Sequence, residues 1–246
     1  MNYPKIDITL TTYKRRDLFE KTLDSFLQTC QDFDLVNRWL VGDDGSSQKD
    51  LNWMKKRYPF LDIQRNPSKG QASNINNLFA RVETEWFFHF EDDWLFLKKD
   101  NYIRKLFDIV FDNDKIKNAT LRFWIGKEKD INETKNGTKY FIHNYLPIRE
   151  SRMQRRLSQE EQQRIKDADA LWCGYTLNPA LQHKPTIELL GRYDESVINK
   201  RSWDRPQAVK YYGLEYKRAN LLERYIEHIG ENNSAYDIRQ RGEING

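Results

Sequence analysis

Apolar and polar residues alternate along Ile6-Asp7-Ile8-Thr9-Leu10-Thr11, which predicts a strand rich in β-branched side chains. Leu18, Phe19, Leu23, Phe26, Leu27 and Cys30 then recur at helical spacing, and Asp17 is expected to cap that helix. A short strand over Arg38–Gly42 stops at the turn-rich Asp43-Asp44-Gly45-Ser46-Ser47. The pattern repeats with a helix over Lys49–Tyr58, a strand over Leu61–Gln64 and a loop over Asn66–Gly70. Ala72, Ile75, Phe79 and Val82 mark one face of a third helix. The apolar strand Trp86–Phe90 follows and ends in Glu91-Asp92-Asp93. Strands alternating with helices of these lengths imply right-handed βαβ units and a mostly parallel sheet with helices on both faces. Ligands bind such sheets outside the carboxyl ends of the strands. Asp43-Asp44 and Glu91-Asp92-Asp93 are therefore expected on one edge.

The second half is less regular. A strand is expected over Leu121–Ile125, and Asn136-Gly137 suits a hairpin turn. Ser158-Gln159-Glu160-Glu161 has the capping-box form that opens a helix. Leu171–Leu177 reads as a strand, and Pro185–Leu190 as a helix closed by Gly191. A last helix starts at Arg205-Pro206 with Asp204 as its cap and Gly213 near its end.

Composition narrows the class. The 246 residues suit one domain, and 13 Phe, 13 Tyr and 7 Trp supply core material that disordered chains lack. No apolar run approaches the ~20 residues of a membrane-spanning helix, and Met1–Lys5 has no signal-peptide character. Two cysteines, Cys30 and Cys173, make neither a disulfide framework nor a CxxC metal pair, so a reducing cytoplasm is the expected compartment. There is no GxGxxG, Walker A, HExxH or G-x-S-x-G motif.

The candidate chemistry lies in the acids. Three adjacent carboxylates at a strand end repel one another, and a cation must offset them. A divalent metal with oxygen ligands is the simplest one; pairing with Lys98 or Lys99 is the alternative. Asp43-Asp44-Gly45 is a tight turn or part of the same site. Tyr13, after the first strand, either stacks on a base or packs at the strand end.

Taken in order, Ile8-Thr9-Leu10-Thr11-Thr12-Tyr13-Lys14, Val41-Gly42-Asp43-Asp44-Gly45-Ser46-Ser47, Lys69-Gly70-Gln71-Ala72-Ser73-Asn74-Ile75-Asn76 and Phe90-Glu91-Asp92-Asp93-Trp94 resemble the nucleotide-sugar half of a GT-A glycosyltransferase. The chain is most similar to the family 2 group over residues 4–97, and only loosely beyond. The resemblance implies a Rossmann-like GT-A domain over 1–246, with donor-binding residues 1–97 and acceptor-binding residues 98–246. It places Thr11 and Tyr13 at the nucleotide base, Asp44 on a uracil ring nitrogen, and Lys69, Gly70 and Asn76 along base and ribose. Glu91-Asp92-Asp93 stands at the DxD motif, with Glu in place of the first Asp. Asp93 would bind Mn2+ or Mg2+ directly, Glu91 would face the ribose or an outer-shell water, and Asp92 would line the donor. His228 resembles a late histidine that completes the metal site. Gly191-Arg192-Tyr193-Asp194-Glu195 resembles the segment before the catalytic-acid helix. The acidic stretch expected next is Lys200-Arg201-Ser202-Trp203-Asp204 here, so Asp204 is the expected base, with Glu195 and Asp194 as alternatives. Trp172 falls where the fold meets sugar or acceptor, and also reads as a core strand residue.

The charge is nearly balanced, with 41 Lys+Arg against 37 Asp+Glu. The local excess of positive charge runs from Arg149 to Lys166 and reads as a solvated face or a contact for an anionic acceptor. The expected function is therefore metal-dependent transfer from a nucleotide-sugar, UDP first, to a hydroxyl acceptor with inversion. That acceptor is a glycan, a glycolipid or a modified base in nucleic acid. The alternatives are a non-catalytic nucleotide-sugar-binding module and a nucleotidyltransferase.

Overall fold

The computed structural model describes residues 2–66, 69–122, 131–143, 175–196 and 203–230. Its first half follows the expected alternation: β1 (Ile6–Thr12), α1 (Arg16–Thr29), β2 (Val36–Asp43), α2 (Gln48–Arg57), β3 (Leu61–Arg65), α3 (Gln71–Ala80) and β4 (Trp86–Glu91). Next come β5 (Trp94–Phe96), α4 (Tyr102–Asp112), β6 (Ile116–Thr120), β7 (Ile131–Glu133) and β8 (Lys139–Ile142). The described chain closes with β9 (Ala180–His183), α5 (Lys184–Leu190), α6 (Arg205–Gly213), β10 (Lys217–Leu221) and β11 (Ile226–His228).

Nine strands form one sheet in the order β3-β2-β1-β4-β9-β6-β10-β8-β7, and β11 pairs with β5 in a separate ribbon. β3, β2, β1 and β4 are mutually parallel, as are β6 and β10. β9 runs antiparallel between β4 and β6. Alternation along β4 decides the layers. Trp86, Phe88 and Phe90 pack with Phe19, Phe26, Met54 and Phe107, so α1, α2 and α4 cover one face. Phe87 packs with Ile75, Phe79, Leu190, Ala208 and Tyr211, so α3, α5 and α6 cover the other. At the centre of the first layer, the Phe26 ring lies 5.0 Å from Phe90 and 4.9 Å from Phe96. Fully burying each such ring contributes about 1.5–3 kcal/mol.

Several expectations need correction. Asp17 lies inside the first turn of α1 rather than at its cap; its charge there still favours the helix N-terminus. Of the strand expected at Leu121–Ile125, residues 121 and 122 carry none and 123–125 lie outside the described residues; a strand not expected there, Ile116–Thr120, precedes it, and its buried polar Asn118 and Thr120 hide the alternation. Of the strand expected over Leu171–Leu177, residues 175–177 carry none and 171–174 lie outside the described residues; Ala180–His183 is a strand that was not expected. Asp204 stands at the N-cap position of α6, but its backbone is helical and its side chain makes no capping bond. The turn at Asn136-Gly137 does join β7 to β8, with Gly137 at φ 79°, and Gly191 ends α5 at φ 77°. Ser158–Glu161, Trp172 and the Arg149–Lys166 stretch lie outside the described residues. No helix among the described residues is long and apolar enough to cross a membrane.

His89 on β4 is fully buried between Thr9, whose Oγ1 lies 2.9 Å from Nδ1, and the Phe79 ring. Burial pushes its pKa down to about 3. The unfolded chain takes up this proton near pH 6.5 and the folded chain does not, so His89 makes stability fall as pH drops from about 6.5 to about 3. His89→Asn is expected to flatten this dependence, by up to about 1.4 kcal/mol per pH unit within that window. Urea unfolding at a series of pH values measures it; identical pH dependence in the two proteins would contradict the assignment.

Candidate active site

The parallel register aligns three strand ends. Thr11 pairs with Gly42 on one side and Glu91 on the other, and Thr12 pairs with Asp43. Both acidic clusters thus reach the same sheet edge, as expected. Close packing helps hold them: a Cβ on Gly42 would lie 2.6 Å from the Asn74 side chain, whose amide donates to the Gly42 carbonyl.

Each acid has a distinct environment. The fully buried Asp92 accepts a bond from Thr12 Oγ1 at 2.7 Å and is ion-paired to Arg15. Arg15 also reaches Asp93, its Nη1 lying 2.9 Å from Oδ2. His228 Nε2 lies 3.5 Å from the same oxygen. Asp93 Oδ1 is buried and finds no hydrogen-bond partner among the described residues. Glu91 accepts from Gln71 Nε2 at 2.6 Å. Burial, reinforced by the charge of Asp93, raises Glu91 to about 8, and burial raises Asp92 to about 6 against the pull of Arg15. Burial also works against the charge on Asp93, but His228 and Arg15 hold that carboxyl below its ordinary range. The cation on these acids is therefore Arg15; Lys98 pairs instead with Glu223.

The ribbon of β5 and β11 brings His228 to this point. His228 pairs with Trp94, and the next amide, Ile229 N–H, donates to the Asp93 carbonyl at 2.9 Å. Gly230 follows where a Cβ would lie 2.6 Å from Asp93 Oδ2, so a side chain there would displace the carboxylate.

Toward β2, Asp44 is buried, and its Oδ1 accepts the Gly70 N–H at 3.2 Å. Gly70 precedes α3 at φ 94°, a conformation that glycine adopts readily, and Lys69 beside it is exposed. Thr11 and Tyr13 are both buried. Asn76 faces elsewhere: its amide donates to the Tyr193 carbonyl and to Glu195, and its Oδ1 accepts the Tyr193 N–H. Glu195 also pairs with Arg192, and its hydrogen bonds, that from Asn76 foremost, lower its pKa. Asp204 lies near enough for its charge to raise Glu91, Tyr175 and Tyr193, and burial raises its own pKa.

Among the described residues, no group of three or more His, Cys, Asp or Glu side chains is arranged to hold a metal. A Mg2+ or Mn2+ ion takes one or two carboxylates and fills its shell with water and substrate phosphates. The free oxygen of Asp93 and the adjacent His228 imidazole fit an ion held in that way.

Solved structures share this arrangement. A mannosyltransferase from Pyrobaculum calidifontis, PcManGT, in complex with GDP-Man and Mn2+, matches at a TM-score of 0.62 and 15% identity, over 98% of this chain and 61% of its own. S. aureus TarS 1–349 matches at 0.59 and 13%, and its complex with UDP at 0.58 and 15%. Each TarS match covers 90% of this chain and 59% of TarS 1–349. The chain has the GT-A glycosyltransferase fold. It spans about three fifths of the length of these neighbours. No family model matches the sequence, and neither does any curated protein. Thr12, Arg15, Gln71 and Gly230 join the acids of this GT-A edge without having been expected there. For Arg15 a signal existed: a basic residue just after β1, on the edge where three acids needed a cation.

Proposed function

We propose that the protein is a metal-dependent glycosyltransferase that moves a sugar from a nucleoside-diphosphate donor, UDP-linked first, to an acceptor hydroxyl with inversion. One observation carries this reading: the acids after β2 and β4 share an edge, and the partly buried Asp204 lies within electrostatic reach of Glu91. In this reading Thr11, Tyr13, Asp44, Lys69 and Gly70 border the base and ribose. Glu91, held by Gln71, and Asp92, held by Thr12, line the donor. Asn76 positions the Tyr193–Glu195 segment instead of touching nucleotide. Asp93 and His228 would hold Mn2+ or Mg2+, which when bound neutralises charge on the departing diphosphate.

The chain's own chemistry is proton removal. Asp204 takes the proton from the acceptor hydroxyl as its oxygen bonds to the anomeric carbon, while the bond from that carbon to the diphosphate oxygen breaks. Burial makes Asp204 a better proton acceptor than an exposed carboxylate; Glu195, held down by hydrogen bonds, is a poorer one. The acceptor is a glycan, a glycolipid or another hydroxyl compound. Nothing among the described residues favours nucleic acid.

The test is release of nucleoside diphosphate from a panel of UDP- and GDP-sugars with Mn2+, with and without simple sugar acceptors. Release from at least one donor, abolished by EDTA, is expected. Tight nucleotide binding without release across an acceptor panel would instead indicate a binding module, and pyrophosphate release from a nucleoside triphosphate a nucleotidyltransferase.

A further inference from the structure

The buried guanidinium of Arg15 spans both acids after Glu91. It is ion-paired to Asp92 and lies 2.9 Å from Asp93 Oδ2. The backbone accommodates this placement: Lys14, immediately before it, adopts φ 51°, a left-handed conformation that non-glycine residues seldom take, and its N–H donates to Ser46 Oγ at 3.1 Å. Arg15 then stands at the head of α1 without using its side chain as a cap. The guanidinium is directed at the acids by the turn between β1 and α1, so it belongs to the site by construction.

We propose that Arg15 is a resident counter-cation that makes divalent-metal binding depend on the donor's diphosphate. This rests on the glycosyltransferase reading above. A site that holds its own fixed positive charge beside Asp93 repels a dication, and one buried charge at such distances changes affinity by more than a factor of ten. Two carboxylates whose charge one guanidinium already halves, with His228 as the other donor, bind a dication weakly. The diphosphate supplies the missing negative charge. Arg15 also takes Asp93 Oδ2 and leaves Oδ1 for the ion, so it is a positioning residue as well as a charge.

The experiment is Mn2+ binding measured by electron paramagnetic resonance, on protein alone and with UDP or GDP. Wild type is expected to bind Mn2+ at least about tenfold more tightly with a nucleoside diphosphate than without, after correction for Mn2+ bound by free nucleotide. Arg15→Met is expected to bind Mn2+ alone at least about tenfold more tightly than wild type, while Arg15→Lys, which keeps the charge, stays near the wild-type value. Nucleotide-free wild type that binds Mn2+ as tightly as the nucleotide complex overturns the proposal alone, and needs no variant to fold. An Arg15→Met protein with unchanged affinity for Mn2+ also overturns it. Absence of Mn2+ binding beyond that of free nucleotide, with both diphosphates, overturns the proposal and the donor reading together.

Discussion

Asp93→Ala is expected to lower sugar transfer by a factor on the order of 10²–10³, the usual cost of removing one preorganised electrostatic contact from a reacting centre. Asp93 is the only acid of its cluster with both a free buried oxygen among the described residues and an imidazole within 3.5 Å. Asp92 is committed to Thr12 and Arg15, and Glu91 to Gln71. The loss should therefore not be rescued by raising Mn2+. Asp93→Asn keeps the shape and should lose nearly as much, because the negative charge is what goes. Circular dichroism and urea unfolding check that both variants fold. Full metal-dependent turnover in either one removes Asp93 from the metal site and with it the present form of the mechanism.

Asp204→Asn is expected to reduce turnover by a factor on the order of 10²–10⁴, the contribution typical of a positioned general base, with donor affinity little changed. The separation of the two effects is the point. Asp204 stands at the head of α6, near Tyr175 and Tyr193, while the proposed base and diphosphate contacts lie along β1, β2 and β4. The pH profile adds a second reading. The base works only when ionised, so the rate falls as pH falls through its pKa. Burial raises that pKa, so the loss begins at a higher pH than for an exposed aspartate. Asp204→Asn should lack this acid limb. Glu195→Gln should retain most of the activity, since the Glu195 carboxylate is tied to Asn76 and Arg192. The reverse outcome for the two variants would move the base to Glu195.

The donor half was legible because its signals are local. Each of β1, β2 and β4 is a short apolar or alternating run that ends in turn residues or acids, and register alone then brings Thr11, Gly42 and Glu91 side by side. The second half resists the same reading. Asn118, Gln182, Arg218 and Asn220 are buried polar residues on β6, β9 and β10, so these strands carry little of the hydrophobic pattern that marks a strand. Their burial is set by neighbours distant in sequence. Helix α4 differs: it was not among the expected elements, although Ile103, Leu106, Phe107 and Val110 have helical spacing. In the site, acid residues could be found by type. Their partners could not, because Arg15 and Gly230 matter through where the turn after β1 and the pairing of β11 with β5 put them.

The ribbon of β5 and β11 also bears on biosynthesis. Asp93 leaves the ribosome with the donor half, but His228, Ile229 and Gly230 follow only near the end of the described chain. A nascent chain can pair β1, β2, β3 and β4 with one another once Glu91 has emerged, but it cannot seat Asp93 until the last of these residues follows. The acid edge would then be completed late in translation, and a chain cut short before Ile226 would lack the amide and the imidazole that meet Asp93.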